Sequence, residues 1–283
     1  LSDSDLMLWL QGVNISKKYD VTIDEIDVCP VQIQGPLSED LMAKLAGEEL
    51  REIPYYGLME TKIEGVDTVI SQTGFTGEKG YEIYVRDSHE NAEIVWNAVL
   101  EAGEEFGLMV IAPAHHRRIA AGILSWGQDM DFETSPFQVN LSYQVPRNKE
   151  ADYIGKKELE RQRAVIDAGD TPFKMRMVGL IFGGKQITDY APDFWLIADT
   201  DGNDMGYITS PWWSPELNTN IALGWVPWAS SEIGTKLQVR LPDEYSESSG
   251  VAVEGEIVDV PFRESVNPNK REVQKAKGLD YAE

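Results

Sequence analysis

Gly74-Phe75-Thr76-Gly77-Glu78-Lys79-Gly80-Tyr81-Glu82-Ile83 is the stretch on which the reading of this chain turns. Its glycines let the backbone bend and come close to a ligand, and the run from Tyr81 to Val85 then continues as a strand that presents Glu82. A carboxylate at such a place accepts two adjacent hydrogen bonds from a planar amino-pyrimidine or guanidinium-like edge. A phosphate would be repelled. The competing reading is an ordinary hairpin with an exposed glutamate, and spacing by itself does not separate the two. A dinucleotide fingerprint is excluded, because that motif must lead into a helix and this one leads into a strand.

Working upstream, Val66 to Gln72 pairs with Thr61 to Ile63 around the turn-forming Glu64-Gly65, which predicts a hairpin. Before it, Val21 to Ile23 and Val28 to Ile33 read as strands, and Gln34-Gly35-Pro36 turns into a helix capped by Ser38 with Leu41, Met42 and Leu45 inward. Downstream, Asp87 and Glu90 have capping-box spacing, and Ala92, Val95, Trp96, Val99 and Leu100 recur at helical intervals. Pro113 to Trp126 predicts another helix, with Gly122 permitting a close approach. Past Asp170-Thr171-Pro172 the pattern changes. Short alternating runs at Met175 to Phe182, Trp195 to Ala198, Met205 to Thr209, Ile221 to Val226, Leu237 to Leu241 and Val251 to Val260 predict a small β-barrel, with the joint near residues 165–175. Asn267 to Glu283 is polar and reads as a surface helix or tail.

With 283 residues, 42% of them hydrophobic, the chain is long enough for two or three packed units. No stretch approaches eighteen consecutive apolar residues, so no membrane partner is expected. A formal charge of −23 opposes binding to a phosphate backbone, so no nucleic-acid partner is expected either. Cys29 is the sole cysteine, which rules out an intramolecular disulfide and suits a reducing, cytoplasmic setting. The chain opens at Leu1-Ser2-Asp3-Ser4-Asp5 without methionine or signal pattern and reads as starting inside a longer protein.

His115-His116-Arg117-Arg118 could supply a base and anion-binding cations, but adjacent helical residues point apart, and helix-surface pairing is the competing role. Trp126, Trp195, Tyr207, Trp212 and Trp213 could stack on a flat heterocycle or simply fill a core. No nucleophile motif, phosphate loop or metal-ligand spacing is present, so triad hydrolysis and metal-assisted attack are not expected.

Taken in order, a set of motifs resembles the glycine cleavage T-protein (aminomethyltransferase) family over nearly all of the chain. They are Ile33-Gln34-Gly35-Pro36; Gly74-Phe75-Thr76-Gly77 with Gly80-Tyr81-Glu82-Ile83; and Arg118-Ile119-Ala120-Ala121-Gly122 with Gly127-Gln128-Asp129-Met130. Tyr153-Ile154-Gly155-Lys156-Lys157-Glu158-Leu159 follows, then Gly206-Tyr207-Ile208-Thr209-Ser210, Ser214-Pro215 and Asn220-Ile221-Ala222-Leu223-Gly224. The resemblance implies an α+β molecule. Residues 1–170 would form a folate-binding α/β T-protein-like domain lacking its N-terminal part, residues 171–265 a C-terminal small β-barrel, and 266–283 a polar tail. It also implies tetrahydrofolate in a central channel, accepting one carbon at N5. Glu82 matches the family's pterin-binding glutamate, and Phe75, Tyr81, Arg118, Trp126 and Trp213 complete the expected cofactor-binding set. The family's acidic residue near the reacting nitrogen would precede Leu1, so no catalytic residue is assigned. Pro113, Ala114 and His115 stand where aminomethyltransferases carry Ala-Arg-Asp, so a folate-contacting arginine is missing there. Pro113 leading to Arg118, the run Ile123 to Gly127, and Ser2 to Asp5 leading a helix resemble the dimethylsulfoniopropionate demethylase branch. The implied activity is tetrahydrofolate-dependent demethylation of a small methylated donor such as a sulfonium. The alternatives are aminomethyl transfer from a lipoyl carrier protein and a non-catalytic folate-binding relative.

Overall fold

Alternating apolar residues in four short runs build an antiparallel sheet in the first part of the chain. The structure, a computed structural model, describes residues 3–112, 115–246 and 251–262; Ser2, Pro113, Ala114 and the expected tail at 266–283 lie outside them. After helix α1 (Asp3–Val13) come β1 (Val28–Gln34), α2 (Ser38–Ala46), β2 (Leu58–Ile63), β3 (Val66–Ser71), β4 (Gly80–Arg86) and α3 (Ser88–Gly103). The strand order is β1-β4-β3-β2. The β2–β3 hairpin closes through Glu64 and Gly65, both with positive φ, as the right-handed strand twist prefers. Ile33, Ile70, Tyr81, Ile83 and Val85 point to one face and bury there against Leu41 and Met42 of α2 and Val95 and Val99 of α3. The period of two in each strand therefore assigns Gln32, Glu82 and Tyr84 to the other face.

In the first unit local signals failed in three places. Val21 to Ile23 is not a strand, and Val21 is exposed. Ser38 is the first residue of α2 rather than its cap, because its hydroxyl donates to the Lys79 carbonyl at 3.1 Å. Asp87 sits left-handed at the start of α3 without a side-chain cap bond. Asp27 replaces it: its carboxylate accepts from the Ser88 hydroxyl at 2.6 Å and the His89 N–H at 3.3 Å. A distant carboxylate thus satisfies one of the free N–H groups of the helix start, that of His89.

The remaining elements are α4 (His115–Ala120), α5 (Lys156–Asp167), β5 (Met175–Phe182), β6 (Trp195–Ala198), β7 (Asp204–Ser214), β8 (Thr219–Pro227), β9 (Lys236–Val239) and β10 (Val253–Val258). The strands close into a barrel in the order β10-β5-β8-β7-β6-β9. Its interior holds Leu180, Ile197, Ile208, Ala222, Val226 and Val239. The alternate residues of β8, Ile221, Leu223 and Trp225, pack outward against Ile119 and Ala120 of α4 and Val139. The helix predicted over 113–126 stops at Ala120, because Gly122 turns left-handed at φ +69° and a side chain there would meet Val260 at 2.4 Å. The chain divides into two compact units, Leu1–Gly74 with Glu78–Val110, and Phe75–Gly77 with Ile111–Glu283. No helix of the described residues is long and apolar enough to cross a membrane.

Candidate functional site

Register places three polar positions side by side on the sheet face away from α2 and α3: Glu82 of β4 lies opposite Gln32 of β1 and Ser71 of β3. The Gln32 amide donates to Glu82 Oε1 at 2.7 Å. The Thr73 and Tyr84 hydroxyls both donate to Oε2, the latter at 3.2 Å. Donors on both oxygens hold the carboxylate in one orientation. Tyr81, next to Glu82 in sequence, points the opposite way and is wholly buried in the core beneath the helices.

The glycines of the loop have a local task. A side chain at Gly74 would meet the Gln34 amide at 2.2 Å, and one at Gly80 would meet it at 2.4 Å. The Gln34 side chain thus lies between two bare backbone segments, and its amide donates to the Thr73 carbonyl at 3.2 Å. Close approach was expected of these glycines; what approaches is a side chain of β1, which sets the loop that carries Thr73.

In the second unit Arg118 is fully buried and engaged on every side. Its Nη1 donates to Asp129 Oδ2 at 2.8 Å and to the Ile123 carbonyl at 3.1 Å, and its Nη2 to the Ser210 hydroxyl at 2.8 Å. Nε donates to His115 Nδ1 at 2.9 Å. Burial pulls the guanidinium below its ordinary value and the Asp129 carboxylate opposes that pull. Asp129 also accepts from the Ser125 N–H at 2.8 Å and from the Thr209 and Ser210 hydroxyls at 2.6 Å each. Consecutive strand residues normally face opposite ways; here the pairing of β7 with β8 shifts register between Ile208 and Ser210, and the resulting bulge lets both hydroxyls reach one oxygen.

His115 accepts from Arg118 and is therefore neutral. Burial first, and the Arg118 charge second, push its pKa down to about 4 from an ordinary 6.5. An unfolded chain takes up the proton below pH 6.5 and the folded one resists it down to about 4. Stability tied to this group is therefore complete above pH 6.5 and falls as the pH drops to about 4. Urea unfolding at several pH values should show this loss, roughly 1–2 kcal/mol after allowance for solvent screening. In His115→Gln, which keeps an acceptor for Arg118, the profile should flatten over that window; an unchanged slope would assign the loss to other groups.

The other expected site residues also fall in the second unit. Phe75 is 40% exposed. Trp126 meets Phe132 edge-on at 4.8 Å. Trp213 is half-buried and donates its backbone N–H to the Ile187 carbonyl at 2.8 Å. Of the wider aromatic set, Trp212 stacks on His115 at 5.5 Å and Tyr207 on Phe194 at 5.4 Å, whereas Trp195 is buried in the barrel core. Gln32, Thr73, Tyr84, Asp129 and Ser210 escaped sequence reasoning. Two-residue spacing from Gln34 and Glu82 marks the positions of Gln32 and Tyr84; no local signal marks the others. Among the described residues no group of three or more His, Cys, Asp or Glu is placed to hold a metal ion.

A four-stranded sheet with two helices on one face, followed by a closed six-stranded barrel, matches known domain descriptions in the same order. Residues 2–149 match the GCVT N-terminal domain, and residues 174–262 match the glycine cleavage T-protein C-terminal barrel domain. The chain belongs to the glycine cleavage T-protein family. Among its relatives is the dimethylsulfoniopropionate demethylase DmdA of Ruegeria pomeroyi, 34% identical over 86% of this chain and 64% of that protein. An aminomethyltransferase of a Geobacillus strain is 28% identical over 92% of this chain and 70% of its own length. An aminomethyltransferase of Clostridium botulinum is 33% identical over 79% of this chain and 58% of its own length. The chain thus spans between about three-fifths and seven-tenths of these relatives. In fold it is similar to the glycine cleavage system aminomethyltransferase T of Bartonella henselae, with a TM-score of 0.75 at 22% identity over 92% of this chain and 66% of that one.

Proposed function

We propose that this protein takes part in tetrahydrofolate-dependent methyl transfer, demethylating a small methylated donor of the sulfonium type and yielding 5-methyltetrahydrofolate. The observation that carries the reading is Glu82, an anchored carboxylate on the polar face of the first unit's sheet. A pterin presents two adjacent N–H donors along one edge, and the Gln32, Thr73 and Tyr84 donors hold the Glu82 carboxylate in place to receive them. When bound, tetrahydrofolate supplies the nucleophilic nitrogen, N5. A sulfonium already carries a good leaving group, so the protein's contribution is to bind, orient and exclude water rather than to donate a proton. Arg118 and Tyr81, both expected in the cofactor-binding set, are buried within their own units, and no folate contact is proposed for them. The exposed Phe75 and the half-buried Trp126 and Trp213 are the proposed aromatic contacts. Similarity to the Ruegeria pomeroyi demethylase supports the choice of donor.

The second reading is aminomethyl transfer from a lipoyl carrier protein, favoured by the aminomethyltransferases among the relatives. Incubating the intact protein with tetrahydrofolate and dimethylsulfoniopropionate should yield 5-methyltetrahydrofolate. Formation instead of 5,10-methylenetetrahydrofolate from an aminomethylated carrier would establish the second reading, and folate binding without either product would mark a non-catalytic relative.

A further inference from the structure

Glu82 has more internal donors than a carboxylate can keep while gripping a two-donor edge. Each carboxylate oxygen offers about two lone pairs. Oε1 has one internal donor, Gln32, and Oε2 has two, Thr73 and Tyr84. A ligand edge with two adjacent N–H groups takes one lone pair from each oxygen. Oε1 can serve it as it stands; Oε2 must first release a donor. The two candidates differ. Thr73 makes the closer contact, and the Ser71 hydroxyl lies 3.1 Å behind it. Tyr84 makes the longer one, 3.2 Å, from a half-buried phenol that can turn to water. Burial, and then the neighbouring Glu82 charge, push the Tyr84 phenol above its ordinary value, so at neutral pH it remains a donor.

We propose that Thr73 and Gln32 are positioning residues that aim the Glu82 carboxylate, and that the Tyr84 hydroxyl is a removable third donor whose displacement selects ligands with two adjacent N–H groups. The proposal rests on the reading of Glu82 as the pterin-binding group. A ligand with a single donor is satisfied by Oε1 and leaves Tyr84 in place, so the two kinds of ligand respond differently to its removal.

Calorimetric titration of the intact protein with tetrahydrofolate, and with a 2-desamino-2-methyl analogue that keeps N3–H but lacks the amino group, tests this. Tyr84→Phe should tighten tetrahydrofolate binding about fivefold, the worth of one competing hydrogen bond, and leave the analogue unchanged. Thr73→Val should weaken tetrahydrofolate about tenfold, Thr73→Ser should restore it, and in a Glu82→Gln background the Thr73 change should have no further effect. Thermal melting identifies any variant that has not folded; if Thr73→Val is one, the Tyr84→Phe comparison decides. Equal effects of Tyr84→Phe on both ligands, or a Thr73→Val loss that persists without the carboxylate, would overturn the proposal and leave the folate reading standing. A wild-type protein that does not bind tetrahydrofolate would overturn both.

Discussion

Asp129→Ala should lower the free energy of unfolding by about 3–5 kcal/mol, as expected when one partner of a buried ion pair is removed. Asp129 is 1% exposed and Arg118 2%, so the guanidinium left behind has neither water nor a countercharge. The substitution also removes the acceptor of the Ser125 N–H and of the Ser210 hydroxyl, while the Thr209 hydroxyl keeps the Leu223 carbonyl and Arg118 Nη1 the Ile123 carbonyl. Each buried donor left without an acceptor adds a desolvation penalty. Denaturant unfolding measures the loss directly. Combining Asp129→Leu with Arg118→Met should recover much of it, because removing both charges together avoids the orphan. A loss below about 1 kcal/mol for Asp129→Ala would mean that water or another group reaches Arg118.

How much of this was legible beforehand depended on the range of the forces involved. β5 and β6 coincide with the apolar runs Met175 to Phe182 and Trp195 to Ala198, because a strand writes its burial into its own residues, as a short apolar run where most positions are covered. Glu82 was legible for the same reason, as the polar member of an alternating strand. Asp27 at the head of α3 was not, since a capping carboxylate some sixty residues away leaves no trace near the helix it caps. Arg118 showed up only as one of four basic and imidazole side chains in a row. Its role depends on Ser210, 92 positions away, and on a bulge that places both hydroxyls on one side of β7. The glycines of residues 74–80 read as leaving room for a ligand; at Gly74 and Gly80 the group that comes close is Gln34, on a different strand.

The central claim concerns a single oxygen pair. In Glu82→Gln the replacement keeps the size and most internal contacts: its carbonyl can accept from Gln32, and its NH2 can donate to the Thr73 and Tyr84 oxygens, which accept as readily as they donate. The fold should be spared, and the melting temperature should stay close to that of the wild type. Toward a pterin edge, however, the amide sets a donor against a donor and has no charge to strengthen the remaining bond. Titration of tetrahydrofolate into the intact protein and into this variant is the decisive measurement. The account predicts a loss of about 1.5–3 kcal/mol, one to two orders of magnitude in Kd, with folding unaffected. Equal Kd values for the two proteins would contradict it.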